Sequence, residues 1–216
     1  MNSRVFIAFK WLLQFSVITA ALVAMPATAA QTVAKTIVVY GDSLSAAYNI
    51  AQDEGWVALL QQRLALKKYN YQVINASISG ETTSGGLSRF AEMLKTQKPN
   101  IVILELGGND GLRGLSALET SNNLDAMIKQ AKAKKAQVLL LGMKIPPNYG
   151  IKYSRQFSQN YQNLAKKHQL KLVPFFLEGV AGNPDLIQVD GLHPTAATQP
   201  KILENVWPIL VKILKK

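Results

Sequence analysis

The chain has 216 residues, with 24 Lys and Arg against 13 Asp and Glu, and its formal net charge is +11. It contains no cysteine, which excludes disulfides, thiol catalysis and cysteine-ligated metals. A positive balance of this size favours anionic partners such as phospholipid head groups or nucleic acid.

The N-terminal segment 1–30 has the pattern of a secretory signal peptide. Basic residues flank an apolar stretch at 11–24, and small residues follow it up to Ala29 and Ala30. An uncleaved membrane anchor is the alternative, but the stretch is shorter than the roughly 20 apolar residues that span a bilayer. We therefore predict cleavage near Ala29 or Ala30 and a periplasmic or secreted protein.

Residues 31–216 are predicted to form one domain. Cleavage removes Arg4 and Lys10 and no acid, so the formal charge falls by 2, from +11 to +9. A chain of this length buries a substantial core without disulfides. No internal repeat or linker-like stretch indicates a second domain.

Apolar runs alternate with helical patterns along this domain. The first strand is predicted at 36–40, and apolar residues at helical spacing predict a helix at 56–67. The later elements are a strand at 71–76, a helix at 87–95, a strand at 101–106, a helix at 117–134, a strand at 137–143, a helix at 154–168, a strand at 171–174 and a helix at 195–215. Near-continuous apolar strands separated by helices indicate a parallel sheet covered on both faces. The predicted fold class is therefore α/β, a three-layer α/β/α sandwich.

Lysines are concentrated in the predicted helical segments, as at 129–135 and 212–216. No aromatic residues are interleaved with them and no nucleic-acid motif accompanies them. A solvated helix face is therefore favoured, and we expect no nucleic-acid partner. The positive surface still suits a transient association with an anionic membrane. We expect the domain to be a monomer.

The first strand stops at the sequence Gly-Asp-Ser, residues 41–43. A strand that ends in glycine followed by a hydroxyl residue presents one reactive side chain at the carboxyl edge of an α/β sheet, where ligands bind. Ser43 is therefore a candidate nucleophile. The alternative is that Asp42, Ser43 or Ser45 caps the following helix. The junction alone leaves both readings open.

Only one of the two histidines lies where a catalytic base would be useful. His168 is at a basic helix end, and we expect it to be exposed to solvent. His193 lies in a loop, three residues after Asp190. A neutral imidazole is well matched to take the proton of a serine hydroxyl, and a carboxylate fixes its tautomer. Asp190 and His193 are candidates for these roles, unless Asp190 only caps a turn and His193 is packed.

Two further loops contain candidate donors for an oxyanion, which an acyl-transfer enzyme must stabilise. Gly80 follows the second strand, and its backbone can approach a ligand because it has no side chain. Asn109 follows the third strand in the sequence Gly-Gly-Asn-Asp and offers a neutral amide. The alternative is that Asn109 is an ordinary turn residue.

These motifs resemble the sequence blocks of the SGNH (GDSL) hydrolases. The similarity comprises Gly-Asp-Ser-Leu at 41–44, Gly80, Gly-Gly-Asn-Asp at 107–110 and Asp-x-x-His at 190–193. Block order and spacing agree along essentially the whole domain, and the bacterial periplasmic thioesterase, lysophospholipase and arylesterase type is the most similar. One departure is Ala47, where relatives often carry glycine; it bears on local helix packing or substrate range.

The resemblance implies a flavodoxin-like sheet of five parallel strands in the order 2-1-3-4-5. It also implies Ser43 as nucleophile, His193 as base and Asp190 as the partner that orients it. The oxyanion hole would consist of the Ser43 and Gly80 N–H groups and the Asn109 side chain. Family members hydrolyse carboxylic esters and acyl thioesters through an acyl-enzyme, without metal or cofactor.

The sequence thus predicts a secreted serine esterase acting on acyl esters, thioesters or lysophospholipids. Hydrophobic residues in two loops are candidates for the wall that contacts the acyl chain, namely Leu112, Ile145, Pro146, Pro147 and Tyr149. The alternative for the two prolines is a stiff connection after the fourth strand. A carbohydrate acetylesterase of the same fold and a non-catalytic binding module remain alternatives.

Overall fold

The computed structural model describes residues 33–216. The predicted signal peptide, residues 1–30, lies outside the described residues, as do positions 31 and 32. Among residues 33–216, no helix is both long enough and apolar enough to cross a membrane.

Five parallel strands form a single sheet in the order β2-β1-β3-β4-β5. They are β1 (Lys35–Gly41), β2 (Tyr71–Asn75), β3 (Ile101–Glu105), β4 (Gln137–Leu141) and β5 (Lys171–Val173). Every residue of β3 and the last five residues of β1 are buried. This burial on both faces explains why the strands read as continuous apolar runs. The predicted fold class and strand order are confirmed.

Helices cover the two faces of the sheet. They are α1 (Trp56–Leu66), α2 (Thr83–Gln97), α3 (Gly108–Leu112), α4 (Ala117–Ala133), α5 (Ile151–His168) and α6 (Gln199–Leu210). Helices α1 and α6 pack against each other, and α2, α4 and α5 form a second packed group. Large side chains fill the two interfaces with the sheet; Trp56, Phe90, Phe157 and Phe176 are completely buried.

Several predicted helices have other bounds. The helix expected at 87–95 begins earlier, at Thr83, because the Thr82 hydroxyl accepts a hydrogen bond from Gly85 N (3.2 Å) and caps it. The helix expected at 195–215 is a short 3₁₀ turn, Ala196–Thr198, followed by α6. A proline stands in the first turn of α6, where its missing N–H costs no hydrogen bond.

His168 does not project freely into solvent, contrary to the expectation from sequence. Its side chain is only 10% exposed, and its Nε2 lies 2.6 Å from Asp125 Oδ1. The same carboxylate binds Lys129 and Lys167, each at 2.7 Å. The cluster ties α4 to α5, so His168 has a structural contact far from the carboxyl edge of the sheet.

Candidate active site

Ser43 lies in a tight turn directly after β1. The turn runs from residue 43 to 49 and holds two non-glycine residues with positive φ, Ala47 and Asn49, both at 56°. Asp42 Oδ1 accepts a hydrogen bond from Leu44 N (3.0 Å) at its start. No α-helix follows until Trp56, so the helix-cap reading of the junction is wrong. The left-handed conformation at Ala47 is one that glycine adopts without a side-chain penalty.

Ser43, His193 and Asp190 form a continuous chain of hydrogen bonds. Ser43 Oγ lies 2.8 Å from His193 Nε2, although the two residues are 150 positions apart. On the other side of the ring, His193 Nδ1 lies 2.7 Å from Asp190 Oδ2. The structure therefore brings together the three side chains that the sequence singled out, in the order that a serine nucleophile needs.

The Asp190 carboxylate is fixed by its own loop. Its Oδ1 accepts hydrogen bonds from Leu192 N (2.9 Å) and His193 N (3.0 Å). The bond from His193 N lowers the pKa of Asp190 to about 2, with further contributions from Leu192 N and the imidazole. An ionised Asp190 accepts a hydrogen bond from Nδ1–H, which leaves Nε2 free to accept the Ser43 proton.

Gln188 joins the histidine loop to the serine turn. Its backbone N donates to His193 O (2.7 Å), while its side-chain Nε2 donates to Tyr48 O and Pro194 O, each at 3.0 Å. Asn49 Nδ2 donates in turn to Gln188 Oε1 (3.0 Å). The Tyr48 ring also stacks on the His193 ring, with 4.4 Å between centroids. These contacts fix the position of His193 relative to Ser43.

The three candidate oxyanion donors line one cavity with Ser43 Oγ. Within residues 33–216 the backbone N–H groups of Ser43 and Gly80 have no hydrogen-bond partner. Gly80 has φ +77°, and Arg113 holds its carbonyl by a hydrogen bond of 3.1 Å. The two backbone N–H groups are therefore available to an oxyanion.

Asn109 is held differently from the two backbone donors. Its Nδ2 donates to Asp42 Oδ2 (3.1 Å) and to Glu81 O (3.0 Å). Both amide hydrogens thus have acceptors in the free protein. Donation to an oxyanion requires Asn109 to share or release one of them, and the two existing bonds fix where the amide nitrogen stands.

Replacing Asn109 by alanine is expected to lower kcat by roughly 10²–10³-fold, because one oxyanion donor is lost. KM should change much less, and steady-state kinetics on a p-nitrophenyl ester measures both. Because Asn109 also binds Asp42 and Glu81, thermal unfolding is measured in parallel. The exposed Asn163→Ala is the matched control. A change confined to KM would contradict the role of Asn109.

Two carboxyl groups are buried beneath the serine turn. Glu105, the last residue of β3, is completely buried, and its Oε2 accepts hydrogen bonds from Ser45 Oγ (2.6 Å) and Asp42 N (3.2 Å). A Cβ at Gly41 would collide with this carboxyl oxygen, so only glycine fits at the end of β1. Glu105 therefore holds the turn that presents Ser43. Sequence reasoning missed it, although a lone acid ending a buried apolar strand was a visible signal.

The environment of these two acids favours their neutral forms. Burial raises the pKa of Asp42 to about 7. Burial, and next the charge of Asp42, raises the pKa of Glu105 well above its usual value. The folded state therefore retains protons that the unfolded chain has released above about pH 4. Protonation of the two acids therefore stabilises the folded state at low pH. This contribution to the free energy of unfolding is lost as the pH rises through their pKa values in the folded state.

Glu105→Gln is expected to flatten this pH dependence, since glutamine keeps a neutral side chain that accepts from Ser45 and Asp42. Between pH 5 and pH 8 its Tm should fall less than that of the wild type. Glu105→Ala should be destabilised at both pH values by about 1–3 kcal/mol, because it leaves buried donors unpaired. Thermal unfolding measures both, with the exposed Glu119→Gln as control. Parallel pH slopes for wild type and Glu105→Gln would contradict this account.

A cavity of about 440 Å³ opens beside Ser43 and His193. Of the residues proposed for the acyl wall, Leu112, Ile145 and Pro146 line it. Pro147 and Tyr149 are not among the residues that line it, so a contact of these two residues with an acyl chain stays a prediction. They belong to a 3₁₀ turn, Pro147–Tyr149, in which Tyr149 is 40% exposed.

The rest of the apolar wall comes from segments that the sequence did not indicate. It includes Met143, Phe175, Leu177 and Ile187. They lie after β4, after β5 and before Asp190, and only the folded chain brings these loops together. Within the part of the chain that the structure describes, no group of three or more His, Asp or Glu side chains is arranged to hold a metal ion.

Comparison with known proteins agrees with this geometry. The model of the GDSL-like Lipase/Acylhydrolase family matches residues 39–199. The chain is 52% identical to Esterase TesA of Pseudomonas aeruginosa over 184 residues, 85% of this chain and 92% of that protein. It is 40% identical to the thioesterase 1/protease 1/lysophospholipase L1 of Escherichia coli K12 over 196 residues, covering 91% and 90% of the two chains.

A crystal structure of TesA, with 52% sequence identity, aligns with a TM-score of 0.82 over 83% of this chain and all (100%) of that chain. The similarity therefore extends to the whole of the neighbouring fold. The chain is an enzyme and belongs to the GDSL-like Lipase/Acylhydrolase family.

Proposed function

We propose that this esterase hydrolyses carboxylic esters and acyl thioesters through an acyl-enzyme on Ser43. The observation that carries the proposal is the hydrogen-bonded chain from Ser43 Oγ through both nitrogens of His193 to Asp190. A binding module without catalysis would not require a histidine nitrogen 2.8 Å from a serine hydroxyl. Relatives named as esterase and thioesterase support the same reaction class.

The reaction proceeds in two halves. Ser43 Oγ attacks the acyl carbon as its proton passes to His193 Nε2, and the carbonyl oxygen becomes an oxyanion that faces the N–H donors. Collapse of this intermediate expels the alcohol or thiol, which takes the proton from His193. Water then attacks the acyl-enzyme and gives a proton to His193. Collapse of the second intermediate breaks the bond between the acyl carbon and Ser43 Oγ, which takes that proton back as the acid is released. Asp190 stays ionised and stabilises the imidazolium.

The acyl group of the substrate is proposed to occupy the 440 Å³ cavity, with Leu112 and Ile145 on its wall. Apolar side chains predominate on that wall, and each methylene they remove from water contributes about 0.8 kcal/mol. Alkyl and aryl esters, acyl thioesters and lysophospholipids fit this description. A carbohydrate acetylesterase would bury only a methyl group there and leave most of the cavity unused.

A series of p-nitrophenyl esters tests the substrate class. We expect kcat/KM to rise from acetate to medium-chain esters by about fourfold per methylene until the cavity is filled. Leu112→Trp should remove much of this gain for the longer esters while leaving acetate hydrolysis nearly unchanged. An optimum at acetate would favour the acetylesterase, and equal rates along the whole series would contradict the acyl cavity.

We also propose that the enzyme is exported, with residues 1–30 removed near Ala29 or Ala30, and that it acts as a monomer. Arg4 and Lys10 before an apolar segment support export. The N-terminal sequence and the mass of protein from the periplasmic fraction test the cleavage. A full-length mass in that fraction would contradict it.

A further inference from the structure

The charges of the folded domain are distributed unevenly between the two edges of the sheet. Parallel strands begin at one edge, here named the amino edge, and the intervening helices end there. Ten lysines lie at strand starts, in helix-to-strand loops and in the tail after α6: Lys35, Lys67, Lys68, Lys98, Lys134, Lys135, Lys171, Lys212, Lys215 and Lys216. No Asp or Glu occurs in those segments, and these ten lysines define the basic face.

Contacts between the segments make the basic face continuous. Lys35 N donates to Asn70 O (3.0 Å), and Gln137 N donates to Asn100 O (2.9 Å). The C-terminal tail crosses the same edge, since Lys215 N donates to the Tyr71 hydroxyl (3.1 Å). The lysines therefore share one surface although they are distant in sequence.

The acids lie elsewhere. Of the 13 acids, three lie on helix bodies, and each of these is in an ion pair: Glu92, Asp125 and Glu204. The other ten lie at strand ends, in strand-to-helix loops or in first helical turns, on the edge that contains Ser43. The active-site edge also carries cations, among them Lys144, Lys152 and Lys201, so its charges are mixed, whereas the segments of the amino edge carry lysines and no acid. The two edges thus differ in charge, which orients the molecule in an electric field.

We propose that the basic face binds the surface of an anionic phospholipid bilayer and leaves Ser43 facing the solvent. Ten lysines on one edge match a layer of phosphate head groups, to which each contributes about fivefold in affinity. Exposed carboxylates such as Glu178 and Asp185 on the opposite edge repel the same surface. The membrane therefore orients the enzyme, and the preferred substrates are those that reach the active site from the aqueous side.

A bilayer suits this face better than a nucleic acid does. The ten cations are lysines, which bind phosphates as point charges, and no arginine fork is among them. The aromatic residues of this edge, Tyr69 and Tyr71, are partly or fully buried and cannot stack on bases. Val33 and Leu66, by contrast, are large apolar side chains exposed by 92% and 82% at this edge, and they suit the interfacial region of a bilayer.

The active-site edge also carries exposed apolar side chains, and these serve a different purpose. Tyr48 and Leu192 are 46% and 48% exposed and line the cavity mouth beside His193. They give an acyl substrate an apolar entrance. Because acids such as Asp190 stand among them, this edge is the less favourable one for an anionic bilayer.

Sedimentation with vesicles tests the proposal, and this measurement of binding does not depend on catalysis. Wild type should bind vesicles of phosphatidylcholine with phosphatidylglycerol at low salt, and not vesicles of phosphatidylcholine alone. The variant Lys134→Gln/Lys171→Gln/Lys215→Gln should bind about 100-fold more weakly. Its matched control, Lys152→Gln/Arg155→Gln/Lys201→Gln, changes the net charge equally near the active-site edge and should bind within threefold of wild type.

The other outcomes overturn the proposal. An equal loss of vesicle affinity in the two triple variants would mean that net charge alone decides binding. Displacement from the vesicles by duplex DNA at an equal phosphate concentration would identify a different polyanion as the partner. Bound enzyme should hydrolyse a water-soluble ester at the rate of free enzyme; a tenfold drop would mean that the active site faces the bilayer. Loss of esterase activity by a triple variant in the absence of vesicles would bear on the proposed function and not on the basic face.

Discussion

Replacing Ser43 by alanine is expected to abolish ester hydrolysis, with kcat lowered by about 10⁴–10⁶-fold. The remaining rate would come from the oxyanion donors and from substrate binding, which do not need the nucleophile. The loss should appear in kcat and not in KM. Hydrolysis of p-nitrophenyl butyrate, followed at 100-fold higher enzyme concentration for the variant, measures it.

The control for this variant is Ser84→Ala, which removes the hydroxyl of an exposed residue on α2. It should keep wild-type kinetics. Ser45 is unsuitable as a control because its hydroxyl donates to the buried Glu105 (2.6 Å). Ser43→Ala should unfold at the wild-type Tm within a few degrees. A variant with more than a tenth of wild-type kcat would contradict the role of Ser43.

Asp190→Asn is expected to lower kcat by about 10⁴-fold while it preserves the shape of the loop. Asparagine still has an Oδ1 that accepts from Leu192 N and His193 N. Its amide, however, would donate a hydrogen bond to His193 Nδ1, so the ring proton would be on Nε2. A protonated Nε2 cannot accept the proton of Ser43. The kinetics of the purified variant on p-nitrophenyl butyrate measure the loss.

Asp185→Asn is the matched control, because Asp185 is an exposed acid of the same loop that lies outside the hydrogen-bonded chain. It should change kcat by less than twofold. If Asp190→Asn retains a tenth or more of wild-type kcat, or if both variants lose activity alike, the carboxylate does not set the tautomer of His193.

The sheet was predictable because its central strands are buried on both faces. Residues 101–104 are uniformly apolar and only Glu105 ends the strand with an ionisable side chain; such runs occur where helices cover a parallel sheet. The short helix α3 (Gly108–Leu112) escaped prediction, since Gly-Gly-Asn-Asp consists of residues typical of turns. Tertiary contacts decided that segment: a Cβ at Gly107 would collide with the Tyr161 hydroxyl.

The three residues of the hydrogen-bonded chain, Ser43, His193 and Asp190, could be singled out from the sequence because a loop serine and an Asp-x-x-His turn are distinctive in their residue types. The groups that hold them could not. Gln188 connects two loops about 140 residues apart, and a glutamine has no distinctive sequence pattern. Likewise, the contact of His168 with Asp125 depends on how α4 and α5 pack, which helical spacing alone does not reveal.

Part of the cavity wall could be predicted for a similar reason, and part could not. Leu112 and Ile145 follow strands that end beside Ser43, so their loops were expected at the correct edge. Pro147 and Tyr149 lie in the same loop as Ile145, in a 3₁₀ turn, and are not among the residues that line the cavity. Phe175 and Leu177 come after the short strand β5, where no sequence pattern indicates which way the loop folds.

Covalent labelling tests the acyl-enzyme on Ser43 most directly. A p-nitrophenyl alkylphosphonate mimics the ester, and attack by Ser43 Oγ forms a P–O bond as p-nitrophenolate leaves. We predict release of one equivalent of p-nitrophenolate, activity lost in proportion to it, and an adduct located on Ser43 by peptide mass spectrometry. An adduct on another residue, or full esterase activity after stoichiometric labelling, would contradict the account.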